Sequence, residues 1–410
     1  MRPPWSWGHM MQKPFFALAY AIVAIVAVAV SAVTFEAQAA PHIPANGQQV
    51  VETVPRRGDP AQQELRRLRS QLNANPGDVA LATSVARRFI ALGRSETDPR
   101  YLGYAQAALQ PWWQQAAPPP EVRLLRATLL QSTHQFTPAL ADLKAVLVAE
   151  PRNTQAWLTL ATVQTVQGDY ADATASCAHV SGLSIDLLAI TCIANVGAIT
   201  GKARQSEQLL DLTLERSANV PEELQVWAMT LLAEMAQRRG AAAIAETRYR
   251  QALKLAPRDS YLQGAYADLL LEQNRNAEVL TLLRDESRID ALLLRRALAL
   301  QQAGQQQALQ ADVRELSARY AAAAQRGDTV HQREQARFEL MLRKDSAAAL
   351  ALARKNWAVQ KETADIRIYL QAAVKARDPA AAKPVIDWVA SHHTEDLLTA
   401  QLVRQLQAGT

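Results

Sequence analysis

The chain has 410 residues, 49% hydrophobic and 20% charged, enough apolar material to bury a sizeable interior. Its formal net charge of +5 is spread over interspersed signs with no long basic run, which argues against nucleic acid, whose phosphates call for a clustered basic stripe. Only 15 glycines in a sequence dominated by alanine, leucine, glutamine and arginine give a helical composition.

At the N-terminus, Arg2 and Lys13 precede a charge-free run over 14–33, and Ala37-Gln38-Ala39 follows it. A basic start, an apolar core and small residues at an A-x-A site read as a secretory signal peptide over 1–39. The run also reaches the roughly 20 residues that span a bilayer, so an uncleaved membrane anchor is the competing reading. Both place the remainder outside the cytoplasm, because the cations lie before the apolar run. The expected location is the periplasm, or the periplasmic side of the inner membrane if the segment is retained. Residues 40–58, with Pro41, Pro44 and Pro55, read as a flexible linker.

Asp59-Pro60 reads as an N-cap followed by proline at the first helical position. The helix over 61–73 carries Leu65, Leu68 and Leu72 on one face. A register then runs down the chain. A small residue where two helices approach closely falls at Ala86, Ala127, Ala161, Ala194, Ala233, Ala267 and Ala297. Seven residues after each comes a turn slot: Gly93, His134, Gly168, Gly201, Gly240, Asn274 and Gly304. Glycine and asparagine suit a left-handed residue ending a helix. Pro76, Pro151 and Pro257, ten before an alanine, separate one unit from the next. The interval from Ala86 to Ala127 is longer than the rest and holds Asp98-Pro99, Trp112-Trp113 and Pro118-Pro119-Pro120. There the two tryptophans are expected to pack an irregular joint. Beyond Gly304 the register loosens, with helices expected at 308–325, 331–343, 345–360, 363–376, from Pro379, and at 394–406.

Residues 121–179 hold the best-matched copies. Ala127 recurs as Ala161, Phe136 as Tyr170 and Ala139 as Ala173, each thirty-four residues on. Together with Trp157-Leu158-Thr159-Leu160-Ala161, Gly168-Asp169-Tyr170 and the run Tyr249-Arg250-Gln251-Ala252-Leu253-Lys254-Leu255-Ala256-Pro257, this period resembles the tetratricopeptide repeat family. The resemblance covers 79–304 well. It implies an all-α fold, an α-solenoid of helix-turn-helix repeats in a right-handed superhelix, binding peptides or protein surfaces along a concave groove. The expected division is a repeat array over 59–304, then degenerate repeats and a C-terminal cap over 305–410.

The resemblance also implies which first-helix positions face that groove: six and three before the close-contact alanine, then one, four and five after it. Around Ala127 and Ala161 these are mostly Thr, Gln, Ser and Leu. Around Ala233 and Ala267 they include Trp227, Glu234, Tyr261, Asp268 and Glu272. An aromatic pair beside carboxylates suits an extended peptide with a basic side chain; the alternative is that Trp227 and Tyr261 pack between helices. A carboxylate clamp of the chaperone-binding type is not expected, since Asn195 stands at such a position with no lysine beside it.

Cys177 and Cys192 fall on neighbouring helices of successive units. An oxidising compartment permits a bridge worth about 3 kcal/mol, and two buried thiols are the alternative. No metal or cofactor site is expected: Cys177, Cys192 and His179 are too few ligands, and His392-His393 with Glu395 and Asp396 reads as a polar loop. No nucleophile, phosphate or dinucleotide motif is present. The expected function is therefore a non-catalytic protein-binding scaffold in the bacterial cell envelope. Its alternatives are an accessory factor for assembly or export of a polysaccharide or outer-membrane protein, and a hydrolase or transferase with a site in 305–410.

Overall fold

Short sequence signals set the helix boundaries. The computed structural model describes Asn46 and residues 60–408, so the expected signal or anchor, the rest of the linker and the Asp59 cap lie outside the described residues. Helix α1 is Pro60–Ala74. Antiparallel pairs follow: α2 (Val79–Ser95) with α3 (Arg100–Ala108), α5 (Pro120–Ser132) with α6 (Phe136–Ala149), and α7 (Thr154–Gln167) with α8 (Tyr170–Val180), the short α4 (Gln110–Trp113) lying between the first two pairs. Then come α9 (Asp186–Gly197) with α10 (Ala203–Arg216), α11 (Glu222–Arg238) with α12 (Ala242–Leu255), and α13 (Ser260–Glu272) with α14 (Asn276–Leu282). The chain continues with α15 (Asp290–Gln302) and α16 (Gln306–Gln325), α17 (Gln332–Phe338) and α18 (Ser346–Trp357), α19 (Thr363–Ala376) and α20 (Pro379–Ser391), and ends on α21 (Leu397–Ala408). The fold is an all-α solenoid, and no strand occurs among the described residues.

Two residues after Pro76, Pro151 and Pro257 stand Asp78, Asn153 and Asp259, whose side chains accept from the backbone N–H of Leu81, Ala156 and Leu262 at 2.9–3.0 Å. Proline ends one unit and the carboxylate or amide caps the next. All seven close-contact alanines are buried. At six of the seven turn slots the left-handed residue is the one expected, from His134 and Asn274 at φ +57° to Gly168 at +87°. Gly93 is the exception. It lies inside α2, its carbonyl accepts from the Asp98 N–H at 3.2 Å, and Thr97 at φ +48° makes the turn instead. Trp112 is buried with Leu109, Phe89 and Val122, and Trp113 packs against the same cluster.

The helix-pair pattern does not fade at Gly304. Lys344 (φ +62°) joins α17 to α18, and Arg377 (φ +53°) joins α19 to α20. A π-turn over Glu339–Arg343 inserts one residue, so the left-handed position falls eight residues after the buried Ala336 instead of seven. Within α19 the buried Leu370 takes the slot that alanine holds elsewhere. The closing helix starts at Leu397, three residues later than expected.

These last pairs curl back along the row of turns that end the first helices of the middle repeats. A β-carbon on Gly168 would meet the Trp388 ring at 2.4 Å, one on Gly201 would meet His393 Cβ at 2.9 Å, and one on Gly240 would meet Leu397 Cδ1 at 2.8 Å. The Lys361 N–H donates to the Val166 carbonyl at 2.7 Å, and Glu395 accepts from the Ala203 N–H at the start of α10. Lys361 Nζ lies 5.7 Å from the Trp357 ring centroid and 5.5 Å from that of Trp388. The first repeat makes a similar long-range contact, with Thr97 Oγ1 donating to Ser260 Oγ at 2.7 Å. Cys177 on α8 and Cys192 on α9 form a disulfide with Cα atoms 5.5 Å apart, stapling successive repeats.

Candidate binding groove

First helices of neighbouring repeats stand side by side, so side chains at equivalent register positions line one surface. On α11 and α13 they reach each other. The Tyr261 hydroxyl donates to Glu234 Oε1 at 2.6 Å, and Gln237 Nε2 donates to Glu272 Oε2 at 2.9 Å. Tyr261 is 66% exposed, and the carboxylates of Glu234 and Glu362 both act on its hydroxyl. Glu234 beside it, and then burial, push its hydroxyl well above the usual tyrosine range. Trp227 behaves differently. It is half-buried and packs against the apolar clusters that contain Leu187, Ala194 and Leu231 on one side and Cys192 and Val196 on the other.

The groove acids meet arginines from far along the chain. Each oxygen of Asp268 holds one guanidinium, Arg295 at 2.6 Å and Arg337 at 2.8 Å. Burial opposes ionisation of Asp268, and the two arginines more than offset it, leaving its pKa below the usual carboxylate value. Gly264 on the same face leaves room for Arg295, whose Nε donates to the Gly264 carbonyl at 3.0 Å. Arg367 on α19 donates to both oxygens of the buried Asp396 at 2.7 and 2.8 Å and to Glu272 at 3.2 Å. Arg333 pairs with Glu362 at 2.7 Å, Glu334 at 3.1 Å and Asp365 at 3.6 Å. Arg238 extends towards α19, its Nη1 lying 3.4 Å from Thr363 Oγ1.

Glu234 stands apart. Among the described residues its carboxylate has no cation within ion-pair distance; Arg238, one helical turn on, acts on it only at longer range. Burial raises the Glu234 pKa, with Arg238 and the Tyr261 hydrogen bond opposing. Burial likewise raises that of Glu272.

Arg333, Arg337 and Arg367 escaped the sequence reading, although a signal for them existed. Taking Ala336 and Leu370 as the close-contact residues, Arg333 and Arg367 fall three before and Arg337 one after, which are groove positions. The group His392-His393-Glu395-Asp396 is dispersed: His392 stacks on Trp388 at 3.9 Å, Glu395 caps α10, and Asp396 is held by Arg367 and Thr399. A surface hollow is lined by Arg250 and Lys254 of α12, Tyr266 of α13 and Glu278 of α14, none of them at the groove positions of the register.

No family model matches the chain, and no curated protein matches it. Solved structures do. The thermophilic tetratricopeptide repeat protein TTC0263 from Thermus thermophilus aligns with 45% of this chain and 99% of its own, at 19% identity and a TM-score of 0.37. Human IFIT1, solved as a dimer with m7Gppp-AAAA, aligns over 85% of this chain and 86% of its own, at 13% identity and a TM-score of 0.45. A tetratricopeptide repeat protein from Parabacteroides merdae aligns over 78% and 98%, at 13% identity and a TM-score of 0.32.

Proposed function

We propose that the protein is a non-catalytic scaffold of the bacterial cell envelope whose concave face holds an extended segment of a protein partner. The observation that carries this reading is Tyr261, a large aromatic side chain 66% exposed on a helix whose neighbouring positions Leu262, Tyr266 and Leu269 are buried. An exposed ring inside a concavity is an anchor of the kind that dominates peptide interfaces, because it buries much area at little rotamer cost. The groove positions of α11 and α13 then supply polar partners within one side-chain length of it.

Two further features support export to the periplasm: the apolar segment behind Arg2 and Lys13, and the Cys177–Cys192 disulfide, a bond that persists in oxidising compartments. A role in assembly or export of an envelope component fits the same geometry as one kind of scaffold.

A photo-crosslinking amino acid at position 261 in living cells tests the reading, with position 254 on the outer face as control. A discrete protein adduct in the periplasmic fraction from 261 alone is expected. Equal adducts from both positions, or cytoplasmic fractionation of the chain, would refute it.

A further inference from the structure

The arginines that reach the groove carry the inference. In the belt formed by α11, α13, α17, α19 and the start of α21, the carboxylates of Asp268, Glu272, Glu334, Glu362, Asp365 and Asp396 each have an arginine within 4.0 Å. Glu234 has none, and it is the carboxylate that accepts from the hydroxyl of the exposed Tyr261 at 2.6 Å. The fold therefore repeats one solution, a guanidinium laid on a groove carboxylate, and leaves it undone at Glu234, where Arg238 acts only from longer range and the aromatic side chain of Tyr261 stands exposed.

We propose that Glu234 and Tyr261 form a subsite for one cationic side chain, arginine or lysine, of an extended peptide partner. The claim rests on the groove reading above and specifies its chemistry. Charge complementarity selects the occupant: Arg367 on Glu272 and Arg337 on Asp268 are partners of the same kind supplied by the chain itself. An incoming guanidinium or ammonium group pairs with the Glu234 oxygen that Tyr261 does not hold. Its flat or methylene portion rests on the phenol ring, where cation–π attraction adds to the ion pair in a partly desolvated groove. Gln237 and Glu272, linked to each other at 2.9 Å, lie next along the same face and offer acceptors to the following peptide unit.

The test uses the full chain and a random heptapeptide phage library. Selected peptides are synthesised with each arginine replaced in turn by citrulline, which keeps the shape and removes the charge. Binding of labelled peptides is followed by fluorescence anisotropy for wild type, Glu234→Gln and Tyr261→Ala. Circular dichroism checks that each variant keeps its helicity and melting temperature.

The expected result is a basic residue at one fixed position. Its replacement by citrulline, or Glu234→Gln, weakens binding about tenfold, and the two together weaken it no further. Peptides that bind in a Tyr261-dependent way but show no basic position, or whose citrulline and Glu234→Gln losses simply multiply, overturn the cation subsite and leave the groove standing. Failure to enrich any peptide over a control surface, or binding indifferent to Tyr261→Ala, overturns the groove reading itself.

Discussion

Gly168 and Gly304 occupy equivalent turn slots, at φ +87° and +71°, yet only one touches the returning C-terminal helices. Alanine in the left-handed region costs roughly 1–2 kcal/mol, and the stiffer unfolded chain returns about 0.4–1 kcal/mol of it. At Gly304 nothing lies within 4 Å of the added methyl, so Gly304→Ala is expected to cost about 1 kcal/mol. At Gly168 the methyl would meet two carbons of the Trp388 ring at 2.4 and 2.5 Å and Lys361 Cδ at 3.1 Å. Overpacking of that kind costs about 1–3 kcal/mol, which brings Gly168→Ala to about 2–4 kcal/mol. Urea unfolding followed by far-UV circular dichroism measures both. Trp388→Ala is the decisive background: with the ring gone, the cost of Gly168→Ala should fall back to about 1 kcal/mol. Equal losses at the two glycines, or a Gly168→Ala cost unchanged by Trp388→Ala, would refute the wedging of Trp388 into the turn.

Three other outcomes follow from the contacts described. Replacing Cys177 and Cys192 together by alanine should lower stability by about 3 kcal/mol, read as a lower urea midpoint; an unmoved midpoint counts against a structural bridge. Arg367→Ala leaves Asp396 buried without its guanidinium and should cost about 3–5 kcal/mol, with Arg367→Lys recovering only part because it cannot bind both oxygens in a fork; a loss near zero would show that Asp396 finds water. Burial pushes the Asp365 carboxyl from 3.8 up to about 6, against the pull of Arg333. The folded state therefore keeps a proton that the unfolded chain has released, so this group's contribution to stability falls as pH rises from about 4 to about 6. The stability difference between wild type and Asp365→Asn should shift in that direction across the window, and a constant difference would contradict it.

The sequence made the scaffold readable because its signals are steric and local. Alanine at Ala127 or Ala267 and a left-handed residue at Gly201 or Asn274 are demanded by helix packing and turn geometry whatever the partner. Where the chain meets the same demand differently, the pattern vanished. Lys344 and Arg377 take left-handed turns without glycine, and the π-turn at Glu339–Arg343 moves one of them by a residue. Gly93 misled for a related reason, since a glycine near a helix end need not be the residue that turns. The contacts of the candidate groove were half legible. Its α11 and α13 positions follow from the register, whereas the arginines that meet Asp268 and Glu272 come from α15, α17 and α19, separations no local pattern reveals. Nor does spacing separate Trp227, taken up in packing, from Tyr261, which stands open at the same position one unit later.

The contacts between Gly168, Gly201 and Gly240 and the helices that return over them also bear on how the molecule folds. A repeat array whose units touch only their neighbours can open one unit at a time from either end. Here Val166 is tied to Lys361 and Ala203 to Glu395, so fraying of the last pairs strips partners from the middle of the array, and Thr97 on Ser260 ties the first repeat to it in the same way. Such ties sharpen unfolding towards a single cooperative step. They also raise the contact order, and the chain must be nearly complete before its middle repeats reach full stability, which slows folding relative to an open array of the same length.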